Sequence, residues 1–551
     1  MSEPTAEPCA SAWRTPLAAC GAALLVLAAC NSPAEWAAEA DDDVYEIVAA
    51  QRDALGFDGG FTITPTEDNL RDRLLAGELT ERLTSLTLAE CQRIAAQNSR
   101  DYQARREGLY LTALDLSLEM YQYGWRVEDG GFVALGGDDG GATDFAADYG
   151  LTFRNTLGNG ADVVLDIGAT FFESLANGDP SDLLSSASLT ITRPLLQGGS
   201  TEALYEPLTQ AQRRVVDEAR EYERFRRSFG VDVFSRFYRI LEQHEVVENE
   251  RANVESLTLL SERNEQLVAA GRMDDIQAGQ ATQDLLRARS RLISAEAQLE
   301  GLYDDFKFFL GLPVAVQIGL DRTAFTAMAD EGIDPVTIDE AEATAIALAA
   351  RLDVATTRDE FLDAERRLRI AETQLRSMLD LTLTASGDSP VEPGFQFESG
   401  EIDWGVALDF DTPLDRQFER NAYRAAQIAL DAALRALERD EDSVRIDVRD
   451  DLRNLQQARE DFKIQENSVL LAKRRVESTE LKLDAGRAET RDLLEARDSL
   501  VAAQNARVSS LVDYKLARLT LLLDMEQLVI DELGVRARDP LLLNPLGEVL
   551  E

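Results

Sequence analysis

The feature that most constrains this chain is that it contains one plan twice. Val247, Val254, Ser261, Val268 and Gly271 recur, 215 residues on and without a gap, as Phe462, Val469, Val476, Leu483 and Gly486. Each set is a heptad row that closes on a glycine. Upstream, Thr87-Leu88-Ala89-Glu90 is echoed by Thr337-Ile338-Asp339-Glu340, and Arg193-Pro194-Leu195 by Thr412-Pro413-Leu414. Helix start, proline and glycine in the same order twice define two repeats, over 86–313 and 336–535, with a tail at 536–551. A fold made of repeats need not follow the rule of about 150 residues per domain.

Each repeat has the same internal order. An opening helix (about 86–113; about 336–375) leads into alternating apolar and polar residues, the period of a strand. The first repeat gives strands at about 114–126 and 183–193, the second at about 378–386 and 403–411. A further hairpin at about 149–172, turning at Gly158-Asn159-Gly160, is present in the first repeat alone. Its membership of the same sheet is open at this stage. No proline lies between Pro207 and Pro313 or between Pro413 and Pro540, so each span accommodates long helices broken at Gly271 and Gly486. These coiled-coil hairpins are expected at 208–310 and 418–533. A helix from 208 to 270 would be about 95 Å long at about 1.5 Å per residue, beyond any ordinary globular helix. Two shorter helices placed end to end would line it.

The N-terminus reads as an address. Leu17 to Ala29 is apolar or small, too short to span a bilayer and of signal-peptide length, and it ends Leu27-Ala28-Ala29-Cys30. This resembles the lipobox of bacterial lipoproteins. It implies a signal peptide at 1–29, a lipid on Cys30, and a mature extension at 30–85 whose role is open. Of the other cysteines, Cys9 and Cys20 precede the cleavage point, which leaves Cys91 as a buried small hydrophobe and no disulfide framework.

Composition then excludes function classes. There are 56 basic and 101 acidic side chains, a formal net charge of −45, which argues against nucleic acid as a partner. One histidine, His244, rules out zinc sites with several imidazoles, and no nucleophile-base pair, phosphate loop or metal spacing stands out. No enzyme activity, cofactor or metal is expected.

Four core strands and a hairpin cannot enclose a lumen, since eight strands leave room only for side chains or one small ligand. In lipid, open sheet edges are forbidden. Either several chains pool their strands, or the strands form a small soluble meander in a lipid-anchored periplasmic coiled-coil spacer or adaptor without a pore.

At this point the residues reach a resemblance. Helix, strand, strand, Pro-Leu and a long helical hairpin with a glycine turn, occurring twice after a lipobox, resemble the TolC-like outer membrane efflux protein family. Leu189-Thr190-Ile191-Thr192-Arg193-Pro194-Leu195-Leu196-Gln197-Gly198-Gly199 resembles its strand-to-helix motif. Leu267-Val268-Ala269-Ala270-Gly271 and Leu483-Asp484-Ala485-Gly486-Arg487 resemble its two helical tips. The resemblance implies a mainly α chain with a membrane β-barrel portion: a homotrimer with an α-helical barrel across the periplasm and a shared twelve-stranded barrel in the outer membrane. It further implies a passive duct docked to a periplasmic adaptor and an inner-membrane pump for efflux or type I secretion. By the family's pattern, Asp492 and Glu495 would form acidic rings at the pore constriction, with Gln277 and Gln280 at the matching places of the first repeat. Gly271, Arg272, Gly486 and Arg487 would be adaptor-docking tips, and Pro194 and Pro413 strand-to-helix turns. Met120, Tyr121, Tyr123 and Trp125 are candidates for an aromatic girdle at the bilayer edge.

Overall fold

The computed structural model describes residues 32–57, 60–63, 70–76, 83–137, 143–174, 182–197, 201–333, 337–389, 402–412, 414–531 and 534–537. In chain order its helices are α1 (Pro33–Ala54), α2 (Leu70–Leu75), α3 (Leu88–Asn98), α4 (Arg100–Gln122), α5 (Thr201–Leu204), α6 (Glu206–Ala269), α7 (Asp275–Phe309), α8 (Thr323–Glu331), α9 (Glu340–Ala350), α10 (Leu352–Gln374), α11 (Gln417–Asp484) and α12 (Thr490–Asp524). The strands are β1 (Leu83–Leu86), β2 (Arg126–Gly137), β3 (Thr143–Thr156), β4 (Asp162–Ser174), β5 (Asp182–Pro194), β6 (Ile318–Leu320), β7 (Met378–Ser389), β8 (Ile402–Asp411), β9 (Leu528–Asp531) and β10 (Gly534–Ala537). The signal peptide, Cys30, Gly198, Gly199 and Pro413 lie outside the described residues.

Helices of equal length recur in the two halves. α3 and α9 have 11 residues each, α4 and α10 have 23, and α7 and α12 have 35. In each repeat the opening helix is interrupted at one residue in extended backbone, Ser99 (ψ 131°) and Arg351 (ψ 126°). The first helix is well started: Thr87 and Glu90 form a capping box that satisfies two amide donors otherwise left bare.

The 64-residue α6 and 68-residue α11 are lined as anticipated: α4 packs on the N-terminal part of α6 and α7 on its C-terminal part, with α10 and α12 doing the same on α11. No isolated helix of this length is stabilised by propensity alone; the buried seam does it. Phe237, Ile240, Leu241, Val247 and Leu257 on α6 are almost fully buried, as are Val448, Leu455 and Phe462 on α11. Burying each such side chain contributes about 1.5–3 kcal/mol. Around the middle of the molecule β1 pairs in parallel with β6, β9 pairs with β10, and α1 lies along α4 and α6, burying Val44 and Val48. Cys91 is buried there as an inert hydrophobe, its thiol pushed up to about 12 by loss of water.

The first strand departs from expectation. Leu114 to Met120, alternating though it is, belongs to α4 and not to a strand at 114–126. Leu109, Ala113 and Leu116 bury one helical face, whereas Leu111, Leu118 and Met120 stay exposed, so period two is here a helix with apolar residues on two sides. The strand that follows α4 is β2, from a segment rich in glycine and acid. The hairpin joins the sheet as β3 and β4, turning through Gly160 at φ 83° with Leu157 N–H donating to the Ala161 carbonyl at 2.7 Å. One antiparallel sheet in the order β2-β3-β4-β5-β7-β8 therefore holds six strands of this chain.

That sheet has two chemically distinct faces. One carries Phe153, Leu165, Leu189, Ala385 and Trp404, which lie opposite one another across successive strands, followed along β8 by Val406, Leu408 and Phe410. The other carries Asp148, Asp166, Asp380, Asp388, Asp403 and Asp409, with threonines and serines between them. Thr152 and Thr170 hydroxyls donate across strands to Asp166 and Asp148 at 2.6 and 2.8 Å. Among the described residues no other element packs over the apolar face: Trp404 is 79 % exposed.

Candidate functional site

Two places on this scaffold have the geometry of working parts: the helical tips far from the sheet, and a charge cluster where the two repeats meet.

Both tips are the same turn. Gly271 N–H donates to the Val268 carbonyl at 2.8 Å and Arg272 N–H to Leu267 at 2.8 Å; Gly486 donates to Leu483 at 3.0 Å and Arg487 to Lys482 at 2.7 Å. This paired pattern ends a helix with one residue in left-handed backbone, here at φ 69° and 68°, which favours glycine. Arg272 and Arg487 are held by their amides with side chains in the open. Asp274 caps α7, its carboxylate accepting from Ile276 N–H at 3.3 Å, while Glu489 and Asp492 form a reciprocal capping box on α12.

Asp492 and Glu495 are exposed, three residues apart on one helical face, and both are already engaged within the chain. The Asp492 carboxylate accepts from Glu489 N–H at 3.1 Å and Glu495 pairs with Arg475 of α11 at 2.9 Å. Arg263 of α6 pairs with Asp484 at 2.7 Å and Arg291 of α7 with Asp498 at 3.1 Å, tying one hairpin to the other near the tips.

The second place escaped sequence reasoning. Arg351, at the break between α9 and α10, pairs with Asp353 at 2.8 Å and Asp447 at 3.1 Å. Beside it Asp451 is pushed up to about 7, first by burial, then by the neighbouring Asp524 and Asp447 carboxylates. Arg224 of α6 reaches Asp353 and Asp524, and buried Arg227 pairs with buried Glu526. Glu526 is nonetheless raised above the usual carboxylate range because desolvation outweighs the arginines. Arg351 and Glu526 are far apart in the sequence, so neither spacing nor repeat pattern announced the cluster.

The remaining expected residues are scattered. Pro194 ends β5, and Leu195 N–H continues the pairing to the Leu379 carbonyl at 2.7 Å. Tyr123 stacks on Tyr205 and its hydroxyl donates to the Leu204 carbonyl at 2.8 Å, while Met120, Tyr121 and Trp125 are exposed at the helix-to-sheet junction. His244 faces the Tyr303 hydroxyl at 2.9 Å, and burial lowers its pKa. Among the described residues, no group of three His, Cys, Asp or Glu side chains is placed to hold a metal ion, and no helix is long and apolar enough to cross a membrane.

Residues 377–523 match the family model described as outer membrane efflux protein. The resemblance read from the paired motifs holds. Solved structures of the same fold include CusC (13 % identity, TM-score 0.59, covering 80 % of this chain and 91 % of that one) and VceC of Vibrio cholerae (14 %, 0.57, 80 % and 95 %). The Campylobacter jejuni outer membrane channel CmeC is a third (14 %, 0.56, 80 % and 85 %). No curated protein sequence matches this one. At such identities the likeness establishes the fold, an α-helical portion joined to an antiparallel sheet, and the outer membrane efflux family is the one the second repeat matches.

Proposed function

We propose that the chain is the outer membrane exit duct of a tripartite efflux or type I secretion system, a passive trimer whose helices form a periplasmic tunnel. The observation that carries this is the sheet: apolar on one face with none of the described residues covering it, acidic and hydroxylated on the other. Such a surface is stable where lipid meets the first face and water fills a lumen lined by the second. The tips at Gly271, Arg272, Gly486 and Arg487 then face a periplasmic adaptor and, through it, an inner-membrane pump.

Lipid attachment at Cys30 fits the placement of α1. Its Asp41 accepts from the Tyr110 hydroxyl at 2.7 Å and its Arg52 stacks on Tyr222, which itself packs on Tyr102. α1 therefore runs antiparallel to α4, and at about 1.5 Å per residue its start lies close to the level where α4 ends and the sheet begins. A lipid chain there would enter the same bilayer as the apolar face.

Asp492 and Glu495 serve in this reading as two stacked acidic rings at the narrow end, attracting cations and opposing anions. Their ties to Glu489 and Arg475 are ones that a docked adaptor could exchange. Fractionation and electrophoresis test the whole reading: outer-membrane fractions should yield a trimer that runs differently before and after heating. A Cys30→Ser chain recovered as a detergent-independent soluble monomer would instead favour the lipid-anchored spacer.

A further inference from the structure

Among the described residues the sheet has two free edges, β2 and β8, and they are complementary. Six strands in strict up-and-down order leave edge strands that run in opposite directions, so β2 of one copy can pair antiparallel with β8 of another. Both edges begin from helices at the same end, β2 just after α4 and β8 just before α11, and they have similar lengths of 12 and 10 residues.

The register carries the argument further. The line of opposed residues from Arg126 passes through Arg154, Val164, Thr190 and Thr384 to Gly405. Arg126 is the helix-side end of its strand, whereas Gly405 stands six residues from the helix-side end of β8, Asp411. The strand ends slip by two residues at β2–β3, β4–β5 and β5–β7 and not at all at β3–β4 and β7–β8, which makes six residues in five steps with none in the opposite sense. With about 3.3 Å per residue and about 4.8 Å between strands, that slip corresponds to a tilt of about 40°, inside the range of about 35–45° that a closed barrel requires. The hairpin β3–β4 and β2 share this slip with the other strands instead of peeling away from it.

Width agrees. In cross-section each chain offers four packed helices, about 36 Å of wall at about 9 Å per helix. Six strands tilted by about 40° span about 38 Å, while four would span about 25 Å, so only the larger number continues the helical wall without a step.

From these relations we infer that all six strands enter the wall, with β2 of one copy paired to β8 of the next, so that a trimer closes on eighteen strands. The inference rests on the trimeric duct proposed above and revises the twelve strands that four per chain would give. The partner is a second copy of this chain, and the barrel is about 18 Å in backbone radius against about 12 Å for twelve strands at the same spacing and tilt.

Keeping the apolar faces aligned and the slip at none or two residues, the values seen within the sheet, allows two registers, with Val133 opposite Trp404 or Val406 of the neighbour. Oxidising the double variants Val133→Cys with Trp404→Cys and Val133→Cys with Val406→Cys in outer-membrane preparations should convert monomer to covalent dimer and trimer bands in at least one, and in none of the single variants. If β2 and β3 lay outside the wall, β4 would be the pairing edge, and Ile167→Cys with Val406→Cys would crosslink instead. That result overturns the inference but leaves the trimer standing, as does a heat-modifiable trimer in which no pair crosslinks. Sedimentation of the unmodified chain as a monomer in detergent would sink the trimeric duct itself, and the eighteen strands with it.

Discussion

Glu526 occupies in the second repeat the left-handed position that Gly311 occupies in the first. They are 215 residues apart, like the two tip glycines, and each ends a 35-residue helix with the same pair of hydrogen bonds: Gly311 to Phe308 and Leu312 to Lys307, Glu526 to Leu523 and Gln527 to Leu522. Gly311 has φ 75° and Glu526 φ 53°. A Cβ at Gly311 would stand 2.0 Å from the Asn98 carbonyl oxygen, at the break between α3 and α4. In the second repeat the corresponding space admits a side chain, and Glu526 uses it to meet Arg227 of the first repeat. A left-handed non-glycine residue costs of order 1–3 kcal/mol and persists where its surroundings hold it.

Removing that carboxylate should therefore be costly. Glu526→Gln keeps the shape but leaves Arg227, 5 % exposed, without its full counter-charge; loss of about 3–5 kcal/mol is expected. Glu526→Gly should be less harmful than Glu526→Ala by about 1 kcal/mol, because it relieves the backbone. Thermal melts followed by helical circular dichroism check both; a Gln variant as stable as the parent would show that the pair contributes nothing.

The left-handed ends of the four hairpin helices α6, α7, α11 and α12 differ in what surrounds them, and substitutions should rank accordingly. Nothing lies within 4 Å of a Cβ built at Gly271 or Gly486, so alanine there meets only backbone strain, of order 1–2 kcal/mol. Gly311→Ala adds a collision with backbone and should lower the melting point well beyond either tip variant. Equal losses at all three sites would contradict this.

How much of this was legible in the sequence is clearest where it failed. The repeat, the tips and the strand-to-helix proline at Pro194 were readable because a glycine that must be left-handed and a proline at the last residue of a strand leave unambiguous marks. Leu114–Met120 misled because a helix that carries apolar residues on two sides, one buried and one exposed, shows the same alternation as a strand. β2 was hidden by the opposite cause: Glu128-Asp129-Gly130-Gly131 has little strand preference, and it is the twelve-residue pairing with β3 that makes it a strand. The Arg351 cluster left no local pattern, since its members come from α6, the α9–α10 break, α11 and the end of α12.

That cluster predicts an unusual pH dependence. Asp451 titrates at about 7 in the folded protein against an ordinary 3.8, with Asp447, Asp524 and Arg351 facing it. Between those values the unfolded chain loses a proton that the fold retains, so this group's contribution to stability declines as pH rises from about 4 to about 7. Asp451→Asn should match the parent near pH 4 and exceed it at pH 8. Parallel pH profiles for the two proteins would refute the assignment.

At the tip, stability and selectivity should separate. Asp492→Asn weakens one capping box and Glu495→Gln one exposed ion pair, each costing about 1 kcal/mol or less. If three copies of each ring the constriction, the double variant should nevertheless lose most of its preference for cations, read from reversal potentials in a salt gradient. An unchanged reversal potential would place both acids on an ordinary solvated face.

The most direct test of a lumen shared between copies is electrical. Purified full-length protein added to a planar lipid bilayer should produce discrete, cation-preferring conductance steps whose size increases when Arg475→Ala and Glu495→Gln together loosen the tip. A silent bilayer, from protein shown to be folded and inserted, would contradict the account.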